Sequence, residues 1–221
     1  MRTLTRVRLA METILGIHLN IPEPFARRIL EAIRKTQIVY PRNYTYTPHM
    51  TLYLCRFSAR RFPVLIHSLE ALQLKPVRIT PIGVRAHRHK NHAFLSLDLV
   101  RTSTILQLHA QILRIANPMR GNLLRSRDKS RLAQNIFSAK ERRLLSQYGY
   151  HRVAGAYRPH ITLGEIAWKQ GHSRVTQLTK TLRTLNGIKI TLSHLVIGMY
   201  RYDQATETYT EPSVERLLRL T

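Results

Sequence analysis

One cysteine, one tryptophan and 12 acidic residues are all that this 221-residue chain carries of those types. A single thiol, Cys55, excludes an internal disulfide and fits a reducing compartment, so a cytoplasmic protein is expected. Its strand-like apolar surroundings suit a small buried thiol. No apolar run reaches the roughly 18 residues that a membrane-spanning helix needs, so no membrane partner is expected. The start, "MRTLTRVRLA", is basic but has no apolar segment, which excludes a secretory signal. Residues 1–12 are read as a ragged, disordered end in preference to a targeting segment. The nine glycines are scattered, and neither a phosphate-binding loop nor a dinucleotide fingerprint occurs.

What is abundant is positive charge. Lys and Arg number 36 against those 12 acids, a formal net charge of +24. Such an imbalance points to polyanionic partners, RNA or small nucleotides first, and says nothing about fold. At 43% hydrophobic content the length suits one compact domain, or two small lobes sharing a cleft; a single domain over 1–221 and a monomer are expected.

Periodicity orders the chain as βαβαββ followed by ααβαββ. "ILGIHLNIP" alternates as a strand, and "PEPFARRILEAIRKTQ" places Phe25, Ile29, Leu30 and Ile33 at helical spacing. "PHMTLYLCRF", "VRITPIGVRAH" and "HAFLSLDLV" read as strands, with "FPVLIHSLEALQL" helical between the first two. "TSTILQLHAQILRIAN" reads as a helix begun by Thr102 or Ser103 and stopped before Pro118. Pro118 to about Ser130 reads as a loop, and "RRLLSQYG" as a helix closed by Gly149. After the strand "PHITLGEIA" come the helix "HSRVTQLTKTLRTL" and two strands, "IKITLSHLVIGMYRY" and "TYTEPSVERLL", joined at "DQAT". Mixed helices and hairpins give the expected class, an α+β sandwich of two similar halves.

One motif occurs once in each half: "TPHMTLYLC" from Thr47 and "RPHITLGEI" from Arg158. On a strand, residues two apart share a face, so His49 pairs with Thr51 and His160 with Thr162, while Met50, Leu52, Ile161 and Leu163 face the core. A lone His-x-Thr on a strand is ordinary. Two copies sharing Pro, His, Thr and Leu suggest two polar pairs converging on one cleft. Two imidazoles there suit acid–base chemistry near neutral pH. Two hydroxyls beside them suit anionic oxygens, and a phosphodiester needs both.

With these two motifs the sequence resembles the 2H phosphoesterase superfamily, in its branch of 2'-5' RNA ligases and 2',3'-cyclic nucleotide phosphodiesterases. "YGYHRVAGAYRPHITLGEI" and "LSHLVIGMYRYD" resemble the family's approach to its second motif and its penultimate strand. The lead-in Tyr46-Thr47-Pro48 departs from the family's usual context before the first histidine. The resemblance implies an α+β fold of two pseudo-symmetric lobes with antiparallel sheets flanking a central cleft and helices on the outside, no metal and no cofactor, with His49, His160, Thr51 and Thr162 catalytic. It implies hydrolysis of RNA 2',3'-cyclic phosphate ends or 2'-5' linkages to 2'-phosphate products, with 2'-5' joining as the reverse. Two alternatives remain at this point: a non-catalytic RNA-binding protein on the same fold, and a hydrolase of 2'-5' oligoadenylate or cyclic oligonucleotide signals.

Candidate substrate contacts are Arg125, Arg127, Lys129 and Arg131, in the basic stretch "RGNLLRSRDKSR" that also holds Arg120. Tyr44, Tyr46 and Tyr157 precede the motifs, where Tyr46 and Tyr157 could stack a base, and Arg158 stands two residues before His160. His87, His89 and His92 cluster without Cys, Asp or Glu, so they read as a solvated hairpin tip rather than a metal site. His18 reads as an ordinary sheet residue.

Overall fold

The computed structural model describes residues 12–39, 47–89, 91–203, 208–209 and 212–221. Its elements are β1 (Glu12–Asn20), α1 (Glu23–Lys35), β2 (His49–Arg56), α2 (Phe62–Glu70), β3 (Val77–Ile79), β4 (Pro81–His89), β5 (His92–Leu99) and α3 (Ser103–Met119). Then follow α4 (Ser126–Ala133), α5 (Ala139–Tyr148), β6 (His160–Ala167), α6 (Trp168–Leu182), β7 (Ile190–Leu192), β8 (His194–Asp203), β9 (Thr208–Tyr209) and β10 (Val214–Arg219). The α+β class and antiparallel pairing expected from the sequence are found.

The main sheet runs β10-β8-β1-β2-β6-β5-β4, with β9 added to β8, and β3 and β7 form a separate two-stranded sheet. The order divides into two blocks, β8-β1-β2 and β6-β5-β4. Ladders of several residues hold each block together. The blocks meet where β2 and β6 pair antiparallel, through Met50 and Ile161. Met50, Leu52, Ile161 and Leu163 are fully buried, and they share one core with Leu65 of α2, Ile105 and Ile112 of α3 and Leu178 of α6. Cys55 is buried in β2, and burial pushes its thiol up to about 12.

Local chemistry explains most boundaries. Thr102 caps α3 by accepting the Ile105 N–H at 3.3 Å. Ser138 and Glu141 form a capping box at the start of α5, and Gly149 ends that helix at φ 68°, a conformation that costs glycine little. In α1, Ala26, Ile29, Ala32 and Ile33 face the core, whereas Leu30 is turned outward.

Three expectations are corrected. Helix α3 continues through Pro118 to Met119; the proline gives up only its own amide bond, and the helix ends one residue later. The stretch read as a loop to Ser130 contains α4, whose first turn is capped from outside. Ser126 N–H donates to both Glu12 carboxylate oxygens, at 2.8 and 3.0 Å, and its hydroxyl also bonds Glu12. Finally, "VRITPIGVRAH" and "IKITLSHLVIGMYRY" are each two strands. They break at Thr80 and Ser193, and β3 and β7 pair with each other away from the main sheet. Residues 1–11, 40–46 and 204–207 lie outside the described residues, and with them most of the expected ragged N-terminus, Tyr44, Tyr46 and most of "DQAT".

Candidate active site

The two motif strands repeat each other in detail. Along β2 and β6 the first and third residues are half-buried, while the second, fourth and fifth are buried. The doubled burial marks a bulge. Ile17 pairs with Tyr53 and His18 with Thr51, so Leu52 is passed over. Leu95 pairs with Gly164 and Ser96 with Thr162, so Leu163 is passed over. An extra residue resets the strand's alternation, and such bulges re-aim side chains beside functional sites. Here each bulge follows the threonine directly, so His and Thr share the open face while the residues beyond return to the core. Gly164 occupies the second bulge at φ 136°, where a Cβ would press to 2.6 Å from the Val39 carbonyl oxygen.

Antiparallel pairing at Met50 and Ile161 sets the motifs head to tail. Continuing that register by one residue each way brings His49 across from Thr162 and Thr51 across from His160. All four sequence-derived residues are therefore gathered on one face of the seam. His49 Nδ1 lies 2.8 Å from the Thr47 carbonyl oxygen, and His160 Nδ1 lies 2.9 Å from that of Arg158. A carbonyl only accepts, so both Nδ1 atoms carry hydrogen, and Nε2 is the proton-exchanging atom of each ring.

The surroundings of the two histidines differ. His49 has Asn20 as its cross-strand partner, and the ring of buried His18 lies 4.5 Å from its own, tilted by 42°. His160 has Asp98 as its cross-strand partner. Asp98 is paired with Arg85 and accepts from Ser96 Oγ at 3.0 Å, and His87 Nε2 lies 3.4 Å from the same hydroxyl. Burial holds the His160 pKa below its ordinary value; the bond to the Arg158 carbonyl opposes this, and the Arg152 guanidinium adds to it.

Residues 21–204 match the family model described as the 2'-5' RNA ligase superfamily. The chain belongs to the 2'-5' RNA ligase superfamily. Its backbone is similar to that of TT0787 of Thermus thermophilus, at 15% identity over 93% of this chain and 98% of that one, with a TM-score of 0.52. It is also similar to E. coli LigT in complex with phosphate, at 14% identity over 95% and 99% of the two chains, with a TM-score of 0.50. A comparison with curated protein sequences gives no match.

For this member of the superfamily, the other sequence-derived contacts are placed differently. Arg125 is buried, with Nε 2.5 Å from Asp128 and its guanidinium 5.2 Å from the centre of the Tyr150 ring. Arg120 is buried as well, donating to the carbonyls of Leu123, Ser146 and Gln147. Both arginines are engaged inside the protein and present no charge to RNA. Arg127 and Arg131 are half-buried on α4, and Lys129 is exposed there. Tyr157 is buried with its ring stacked on His109, so it offers no face to a base. Arg158 is exposed beside His160. His87 joins the Asp98 cluster and His92 is exposed; among the described residues no three of His, Cys, Asp or Glu are grouped to hold a metal. No helix among them is long and apolar enough to cross a membrane.

Sequence reasoning passed over Asp98, Ser96 and Arg85, and set His18 aside. A signal existed in "HAFLSLDLV", where Ser96 and Asp98 alternate with Leu95, Leu97 and Leu99 and so share one face. The bulge that aligns them with Thr162 and His160 has no comparable sequence mark.

Proposed function

We propose that this protein is a metal-independent phosphodiesterase acting on 2',3'-cyclic phosphate ends of RNA or on 2'-5' linkages, with both lobes serving one site. The observation that carries this reading is the matched pair of imidazoles, each fixed through Nδ1 to the carbonyl two residues upstream. Fixed rings supply an acid and a base without the entropy cost of ordering them at each turnover.

The lowered His160 pKa favours one assignment of roles. His160, held neutral at neutral pH, is the base. Its Nε2 takes a proton from water as the water oxygen attacks phosphorus. The P–O3' bond breaks, and His49 Nε2 gives its proton to O3'. The product carries a 2'-phosphate and a 3'-hydroxyl, and solvent exchange returns each histidine to its starting state. Thr51 and Thr162 hydroxyls donate to the non-bridging oxygens as charge builds. With a 5'-hydroxyl in place of water as nucleophile, the same geometry forms a 2'-5' linkage. In-line displacement needs nucleophile and leaving group on opposite sides of phosphorus, which suits a base and an acid on two different strands.

Incubation of the purified protein with 2',3'-cyclic AMP and with 2'-5'-linked diadenosine in excess EDTA tests this reading. Turnover of at least one of them is expected. Activity on neither, or activity only with an added divalent ion, overturns it.

A further inference from the structure

Sheet pairing leaves the two motif strands joined through Met50 and Ile161. A single pair fixes a point of contact but only weakly fixes the angle between strands, and that angle sets the distance between two imidazoles. We propose that His109 and Tyr157 form a polar clasp that holds the two motifs at working separation, and so are positioning residues for the reaction proposed above, on which this inference rests.

The clasp reaches both motifs. Tyr157 stands three residues before His160, and its hydroxyl donates to the Thr51 carbonyl at 2.9 Å. His109, on α3, has Nδ1 2.8 Å from the Leu52 carbonyl. Its Nε2 accepts the Ala154 N–H at 2.9 Å, from the segment that leads through Tyr157 into β6. The two rings stack with centroids 3.9 Å apart and planes within 9°, and both residues are buried. Thr51 and Leu52 are the threonine of the first motif and its bulge residue. A bulge leaves the local ladder incomplete, and buried carbonyls there need partners from elsewhere. The Thr51 carbonyl finds its partner in Tyr157, on the chain that delivers the second motif, and the Leu52 carbonyl in His109, which is itself bonded to that chain through Ala154.

The bonds also settle the form of His109. A carbonyl accepts and an amide N–H donates, so the ring must carry hydrogen on Nδ1 and a lone pair on Nε2. Burial, opposed by the bond to Leu52 and aided by Arg101, brings its pKa down to about 4. The clasp is therefore intact throughout the neutral range.

Tyr157→Phe and His109→Phe keep the stack and remove the bonds. On 2',3'-cyclic AMP, kcat is expected to fall on the order of 10-fold or more, since small misplacements of reacting groups are costly, with KM within a factor of two. The double variant should lose little more than either single one, because both serve one clasp. Leu192→Ala, in β7, serves as a destabilised control that keeps its kcat. Unchanged kcat in folded Tyr157→Phe, or a drop equal to that of a control with the same loss of Tm, overturns the clasp. Imidazole nitrogen NMR decides it without turnover. His109 should show the Nδ1–H form at pH 7, and Tyr157→Phe should shift the ring signals of both His49 and His160. An Nε2–H form, or movement of only one catalytic histidine, contradicts the inference. Wild-type protein with these spectra but no phosphodiesterase activity leaves the clasp standing and removes the proposed function.

Discussion

Met50 and Ile161, the middle residues of the two His-x-Thr motifs, are cross-strand partners at the seam of the main sheet. Both are fully buried. Their contact makes the seam apolar on its inner face and leaves each histidine opposite the other motif's threonine on the outer one. In the mechanism proposed above, both hydroxyls bind the phosphate that the two imidazoles act on. Thr51→Val and Thr162→Val keep side-chain volume while removing the donor. Each should lower kcat by about 10²-fold, the loss seen for one transition-state donor, with Tm little changed. Steady-state kinetics and thermal melts check this; unaltered kcat in both would remove the hydroxyls from the mechanism.

A base acts only when neutral. The His160 pKa lies below its ordinary value, chiefly through burial, with Arg152 contributing. The acidic limb of kcat/KM should therefore fall below pH 6.5, the unperturbed value for histidine. Arg152→Gln withdraws one lowering influence and should move that limb to higher pH. A profile measured on 2',3'-cyclic AMP with the limb above 6.5, or unmoved in the variant, contradicts the assignment of His160 as base.

Stability should depend on pH through His109. Its pKa is about 4 in the folded protein, against 6.5 as the ordinary value. Between those values the unfolded chain binds a proton that the folded one refuses, so stability is full above pH 6.5 and declines as pH falls toward 4. The loss from this residue alone is roughly 3 kcal/mol at the lower end. His151, also brought to about 4, chiefly by burial and then by Arg152, adds in the same direction. Urea melts at pH 7.5 and 5.0 should show the decline, and His109→Phe should reduce it. Equal midpoints in the wild type would be inconsistent with a buried neutral His109.

Within the basic stretch around α4, Arg125 is buried against Asp128. Arg125→Gln strands the buried Asp128 without its partner, a change that typically costs about 3–5 kcal/mol. A fall in Tm of about 10 °C is expected for a chain of this size. Lys129→Gln, at an exposed position, should leave Tm unchanged. Calorimetry of both separates a folding role from an RNA contact. A stable Arg125→Gln that binds RNA less tightly would restore the reading made from the sequence.

The sequence made the motif legible because its chemistry is local: period-two alternation alone puts His49 with Thr51 and His160 with Thr162. The helices around Ile29, Ile112 and Leu144 were equally readable from spacing and caps. What escaped was set by tertiary packing. Nothing near Ser126 announces that Glu12 will cap its helix, and nothing near Arg125 announces a buried partner, since Asp128 three residues on looks like any surface acid. Strand breaks at Thr80 and Ser193 depend on β3 and β7 finding each other across the chain. Tyr157 looked available for stacking because its partner, His109, stands far away in sequence.

The central claim is that the two motifs form one acid–base site in which neither histidine substitutes for the other. Phosphorus NMR of 2',3'-cyclic AMP turnover by the wild type, His49→Ala and His160→Ala measures this directly. The account predicts 2'-AMP as the wild-type product and a loss of at least about 10²-fold in each folded variant, the lower range for a single acid or base. Substantial turnover by either variant, or 3'-AMP as the main product, would contradict it.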